Sequence, residues 1–180
     1  IVKASFLLIA RLLGDKGVRE YAEAARIIKA KYPETEFHLV GWIDDNPSAI
    51  SQAELDTWVS EKTVNYWGKL SDVRPAIAAS SVYVLPSYRE GTPRTVLEAM
   101  AMGRAVITTD APGCRETVSN GVNGYLVGVK SVDDLVQSMQ YFIKDPQLIA
   151  YMGQRSREIA LNKYDVHQVN THMMTEMEMI

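Results

Sequence analysis

At 180 residues, with 47% hydrophobic and 23% charged residues, the chain is long enough to bury one real core and too short for two large ones. Its formal net charge of -3 argues against bulk binding of nucleic acid, and its longest apolar runs, such as Phe6-Leu7-Leu8-Ile9-Ala10, fall far short of a membrane span. A single cysteine, Cys114, excludes an internal disulfide framework and fits a reducing compartment. The chain starts Ile1-Val2-Lys3 without Met and enters an apolar strand almost at once, which reads as a piece of a longer protein with no signal sequence visible in it.

In chain order, short apolar runs alternate with helical patterns. Ala4 to Ala10 reads as a strand, and Gly17 to Lys31 as an amphipathic helix with Tyr21, Ala24, Ala25 and Ile28 inward. Pro33 separates that helix from a strand over Glu36 to Val40, and the Gly, Asp, Asn and Pro residues up to Ser51 read as a loop. A helix over Gln52 to Glu61 precedes a short strand, Val64 to Trp67, closed by Gly68. Asp72 is placed to cap a helix reaching Ala79, with Pro75 tolerated in its first turn. Strands follow at Val82 to Leu85 and Ala105 to Thr109, with a helix over Thr95 to Met102 between them that Gly103 ends. Turns at Asn120-Gly121 and Asn123-Gly124 set off a last strand, Tyr125 to Val127. Ser131 caps a helix reaching Ile143, and two more helices are expected near Pro146 to Asn162 and Val166 to Met179. This alternation indicates an α/β fold, a Rossmann-like doubly wound parallel sheet of about six strands, with ligands outside the strand C-terminal ends.

Chemistry concentrates in Arg89-Glu90-Gly91-Thr92-Pro93-Arg94-Thr95-Val96-Leu97-Glu98, where a strand gives way to a Gly/Pro turn and a helix N-terminus. Unpartnered N–H groups and the positive end of the helix dipole make such a turn an anion site. Carboxylates beside phosphates are tolerable when they face the hydroxyl groups of the same ligand, so phosphate and sugar together point to a nucleotide-sugar. Arg11 and Lys16, around Gly14 at the end of the first strand, could clamp a diphosphate, Arg as a fork and Lys as a point charge. Taken alone, these two are as readily ordinary surface cations.

Ala10-Arg11-Leu12-Leu13-Gly14-Asp15-Lys16-Gly17, together with Glu90-Gly91-Thr92-Pro93 through Glu98-Ala99-Met100-Ala101-Met102-Gly103, resembles the two signatures of the retaining group 1 (family 4) glycosyltransferases of the GT-B fold. The resemblance covers essentially the whole chain and matches the C-terminal, donor-binding domain. It implies a nucleotide-binding domain over residues 1–162 and a helix over 163–180 that packs toward the enzyme's own N-terminal domain. By the same resemblance Arg11 and Lys16 hold the donor diphosphate, Glu90 meets the donor sugar near its reacting face, and Glu98 accepts from the ribose hydroxyls. Backbone groups along Gly91, Thr92, Pro93, Arg94, Thr95 and Val96 receive sugar and phosphate oxygens, with Pro93 in the first helical turn, and the loop Gly68-Lys69-Leu70 reads the base.

Activity is then expected to be transfer of a hexose or N-acetylhexosamine from a nucleotide-sugar, UDP favoured, to a glycan or polyprenyl-diphosphate-linked acceptor. The resemblance implies no cofactor and no metal, no nucleic-acid partner, and a cytoplasmic enzyme, peripheral at the membrane if the acceptor is lipid-linked. Without its acceptor domain the piece should bind donor and not turn over. A non-catalytic nucleotide-binding domain and a GT-B nucleotide-sugar epimerase are the alternatives. Cys114 lacks a neighbouring His and is not expected to act as a nucleophile. His38 should be packed, His167 and His172 are wrongly spaced for a metal, and Met173, Met174, Met177 and Met179 should form a packing face.

Overall fold

The structure, a computed structural model, describes residues 3–163. The helix expected at Val166 to Met179, with His167, His172 and the methionine face, lies outside the described residues. Six strands, β1 (Ser5–Ile9), β2 (Glu36–Val40), β3 (Asn65–Gly68), β4 (Val82–Leu85), β5 (Ala105–Thr109) and β6 (Gly124–Val127), form one sheet. Its order is β3-β2-β1-β4-β5-β6 and every neighbouring pair is parallel. The helices are α1 (Val18–Lys31), α2 (Gln52–Ser60), α3 (Arg74–Ala78), α4 (Arg94–Ala101), α5 (Val132–Lys144) and α6 (Gln147–Lys163).

Parallel strands must be joined by crossovers, and crossovers are right-handed, so winding left from β1 and right from β4 puts α1 and α4 on opposite faces. Accordingly α1 packs beside α5, and α4 beside α6 over β5. The point where winding reverses lies between β1 and β4. Covered on both faces, β4 and β5 are buried at every position, which is why they read as unbroken apolar runs rather than alternating ones. On the α1 side, Phe6 stacks on Phe37 with ring centroids 5.2 Å apart, and the Tyr21 ring meets Phe37 edge-on at 5.9 Å. Burying the Tyr21 hydroxyl is tolerable because it donates to the His38 carbonyl at 2.9 Å.

Most expected elements stand within a residue or two of their expected ends, where the backbone leaves the ladder or frays. Four details differ. Residues Gly14–Lys16 form a single 3-10 turn, too short to leave a periodic trace. The third helix spans only Arg74–Ala78, with Val73 rather than Asp72 at its N-cap, although Asp72 Oδ1 still accepts from the Arg74 N–H at 3.0 Å. Pro93 precedes α4 as its N-cap instead of lying in its first turn. A second 3-10 turn, Arg115–Thr117, follows β5.

Arg104, between α4 and β5, donates from Nε to the carbonyls of Ile77 at 3.2 Å and Ser80 at 2.9 Å, and from Nη1 to that of Met102 at 2.9 Å. It thereby ties together the C-terminal ends of α3 and α4, where carbonyls left over from the helices favour a cation. No helix among the described residues is long and apolar enough to cross a membrane.

Candidate functional site

The loops after β1 and β4 flank the reversal point at the C-terminal edge of the sheet, where doubly wound sheets open a crevice. They are bound to each other by backbone: the Tyr88 N–H donates to the Asp15 carbonyl at 2.9 Å. Their approach depends on Gly17, whose φ is +75° and where a Cβ would stand 2.0 Å from the Pro86 carbonyl oxygen. Across this junction Lys16 Nζ donates to Glu90 Oε1 at 2.8 Å, both side chains being largely buried at 23% and 14% exposure. The expected phosphate cation and the expected sugar carboxylate are therefore adjacent and paired.

Glu90 is fixed from the other side as well. Its N–H donates to the Pro112 carbonyl at 3.1 Å, and the Thr109 hydroxyl at the end of β5 donates to the Ser87 carbonyl. At Gly113, with φ +82°, a Cβ would fall 1.9 Å from the Glu90 carbonyl oxygen. Gly113 is thus a position on which the placement of Glu90 depends, and sequence reasoning missed it because its partner is distant in sequence. Gly91 is the opposite case, with nothing within 4 Å of the place its Cβ would take.

Beyond the turn, α4 begins without a side-chain cap. The Arg94 N–H bonds the Thr92 carbonyl at 2.9 Å and Pro93 has no N–H, so not every backbone group from Gly91 to Val96 is free to receive a ligand. The N–H groups of Thr95 and Val96 have no acceptor among the described residues and carry the positive end of the helix. One turn further on, Glu98 is half-buried, and its Oε2 is buried with no hydrogen-bond partner. Burial, reinforced by the charge of Asp72 and opposed by Arg74, raises its pKa above the ordinary carboxylate value. A buried acceptor of this kind costs stability unless something donates to it.

The sign of that cost is testable. With its folded pKa raised, Glu98 is easiest to accommodate when protonated, and stability is lost as pH rises through that pKa. Glu98→Gln should melt higher than the parent at pH 7 in the absence of ligand, and the two should converge below about pH 4, where both states are protonated. Thermal melts at the two pH values check this.

Arg11 lies on the same edge but its guanidinium is turned to Asp44, with Nη2 to Oδ2 at 2.6 Å and Nε to Oδ2 at 3.0 Å, and it is about half exposed. Asp44 is held below its usual pKa by the Asn46 N–H and by Arg11. This partner was not read from the sequence, where Asp44 stood in an unassigned loop. The Gly68-Lys69-Leu70 segment lies two strands away, with Gly68 at φ +78° facing open space and Lys69 Nζ 4.6 Å from the centre of the Trp42 ring. Tyr88 packs toward α1, where its hydroxyl bonds Glu20; burial and then Glu20 push its pKa up to about 12.

Cys114 and His38 are buried, His38 Nδ1 accepting from Trp67 Nε1 at 3.1 Å. The His38 Nε2 lies 3.4 Å from Glu36 without hydrogen-bond geometry. Among the described residues no group of three or more His, Cys, Asp and Glu side chains is placed to hold a metal ion. A surface hollow of about 350 Å³ lined by Lys3, Tyr32, Pro33 and Ile143 lies at the opposite edge of the sheet, away from the cations and carboxylates above.

A parallel sheet of order 3-2-1-4-5-6 covered by helices on both faces places the chain in the Rossmann-like, doubly wound α/β class. The family described as glycosyl transferases group 1 matches residues 3–145, and the chain belongs to that family. It is 37% identical over 163 residues to the N,N'-diacetylbacillosaminyl-diphospho-undecaprenol alpha-1,3-N-acetylgalactosaminyltransferase of Campylobacter jejuni, covering 91% of this chain and 41% of that protein. To the UDP-Gal:alpha-D-GlcNAc-diphosphoundecaprenol alpha-1,3-galactosyltransferase of Escherichia coli it is 26% identical over 165 residues, 89% of this chain and 42% of that one. Among solved structures, the C-terminal domain of a group 1 glycosyl transferase family protein (LpcC) from Francisella tularensis superposes with a TM-score of 0.79 at 28% identity, over 89% of this chain and 86% of that one. The chain spans about two fifths of the length of the curated relatives it matches.

Proposed function

We propose that this chain is the donor-binding half of a retaining glycosyltransferase that moves a hexose or N-acetylhexosamine from a UDP-sugar to a polyprenyl-diphosphate-linked saccharide. The observation that carries this reading is the line of groups across the reversal point: the Lys16–Glu90 pair, the bare N–H groups of Thr95 and Val96, and the unpartnered Glu98 oxygen. The named activities of the C. jejuni and E. coli relatives support the lipid-linked acceptor, and that of the E. coli relative supports UDP.

In this reading Lys16, the α4 N-terminus and Arg11, once released from Asp44, take the diphosphate. Glu98 accepts from the ribose diol, Glu90 lies against the sugar, and the base lies along Gly68-Lys69-Leu70. As the anomeric C–O bond to the diphosphate breaks, negative charge grows on the leaving oxygen. Preorganised cations and N–H groups meet that charge without reorganising. The acceptor hydroxyl attacks from the side the nucleotide leaves, which preserves the anomeric configuration, and passes its proton to the departing diphosphate oxygen.

The test is a calorimetric titration of the chain with UDP, GDP and ADP, followed by a transfer assay of the full-length protein with UDP-N-acetylhexosamines and a polyprenyl-diphosphate saccharide. UDP binding and a product of retained configuration are expected. No binding of any of the three, or an inverted product, sinks the reading.

A further inference from the structure

Tyr83 lies wholly buried in β4, between the two loops that form the donor site. Its hydroxyl oxygen is 3.1 Å from the Ile9 carbonyl at the end of β1 and 2.5 Å from Thr95 Oγ1 in the first turn of α4. A phenol has one proton and cannot serve both neighbours at these distances. The Ile9 carbonyl can only accept. The arrangement without repulsive lone-pair contact therefore has Tyr83 donating to Ile9 and Thr95 donating to Tyr83. The phenol stays protonated, since burial drives its pKa far above the ordinary tyrosine value.

This chain of bonds has two consequences at the ligand edge. The Thr95 hydroxyl is turned into the protein, so it offers only lone pairs outward and would repel a phosphate oxygen rather than bind it. The first turn of α4 is also pinned to the end of β1, on the strand that carries Lys16 in its following loop. We propose that Tyr83 is a positioning residue for the donor diphosphate, acting with Thr95 as one unit that holds the Thr95 and Val96 N–H groups at a fixed distance from Lys16. The phosphate is then met by backbone N–H and ammonium, and any ligand group against Thr95 Oγ1 is a hydroxyl. This role rests on the donor-site reading given above.

The experiment is a double-mutant cycle on UDP affinity, using Tyr83→Phe, Thr95→Val and the double variant, with uridine as the phosphate-free probe and Thr95→Ser as the conservative control. Each single substitution should weaken UDP binding by about 3- to 10-fold. The double should be no weaker than the worse single, uridine affinity should not move, and Thr95→Ser should bind as the parent does. Additive losses, an equal loss for uridine, or a Tyr83→Phe variant that binds UDP as well as or better than the parent would overturn the role. If Tyr83→Phe fails to fold, the half-buried Thr95 position decides through Thr95→Val against Thr95→Ser. A parent chain that binds none of UDP, GDP and ADP overturns the donor-site reading and this role with it, whereas a parent that binds beside indifferent variants overturns only the role.

Discussion

Lys16→Ala is expected to lower UDP affinity by about 10- to 100-fold while leaving the affinity for uridine unchanged. The size follows from removing one charge-assisted hydrogen bond, about 1.5–3 kcal/mol, where 1.4 kcal/mol is a factor of ten. The structure adds a reason to expect the upper part of that range. Glu90, at 14% side-chain exposure, loses its partner and is left as an uncompensated carboxylate facing the incoming phosphates. The companion variant Glu90→Gln should act in the opposite direction on binding, since it frees Lys16 for the ligand, and should still slow transfer by the full-length protein. Titration with UDP and uridine reads the first effect, and an initial-rate assay the second. Equal losses for both ligands in Lys16→Ala would mean that Lys16 supports the fold and not the diphosphate.

Gly113→Ala should be among the most damaging single methyl additions in the site region. The position has φ +82°, which costs an alanine about 1–2 kcal/mol, and its Cβ would overlap the Glu90 carbonyl oxygen at 1.9 Å. A total near 3 kcal/mol corresponds to a fall in melting temperature of roughly 6–12 °C for a domain of this size. Relief of the overlap would push the Glu90 segment off its bond to Pro112, so UDP binding should weaken as well. Gly91→Ala is the control. Nothing lies within 4 Å of its added methyl, so the melting temperature should hold, while the proposed donor site, which lays the ligand against this backbone, requires UDP-sugar affinity to drop. Scanning calorimetry and titration of the two variants separate a glycine needed by the protein from one needed by its ligand.

The fold was legible because its central strands are buried on both faces and its turns are marked by Gly, Pro and Asn. The runs Val82–Leu85 and Ala105–Thr109 were readable to the residue for that reason. The residues of the candidate site were legible as types: a Gly/Pro turn opening a helix, two carboxylates, two cations. How they are joined was not. The Lys16–Glu90 pair spans 74 positions, Tyr83 reaches back the same distance to Ile9, and Arg11 finds Asp44 across 33. Local periodicity carries no information about such contacts: the first two exist because β1 and β4 are neighbours while far apart in the chain, and the third because β1 lies beside β2. The one-turn helix at Gly14–Lys16 escaped for a different reason, being shorter than any repeat that could announce it.

Arg104 has a mechanical meaning for the crevice. By gathering the carbonyls of Ile77, Ser80 and Met102, it makes a common pivot for α3 and α4 at the edge of the sheet opposite the crevice. Rotation of α4 about that pivot is the motion these bonds leave open. Over the eight residues of α4, about 12 Å of helix, one degree of swing moves the far end by roughly 0.2 Å. Swing of that kind is resisted by the Tyr83–Thr95 bonds at the far end, so α4 is held at both ends and its N–H groups keep their place over the strands.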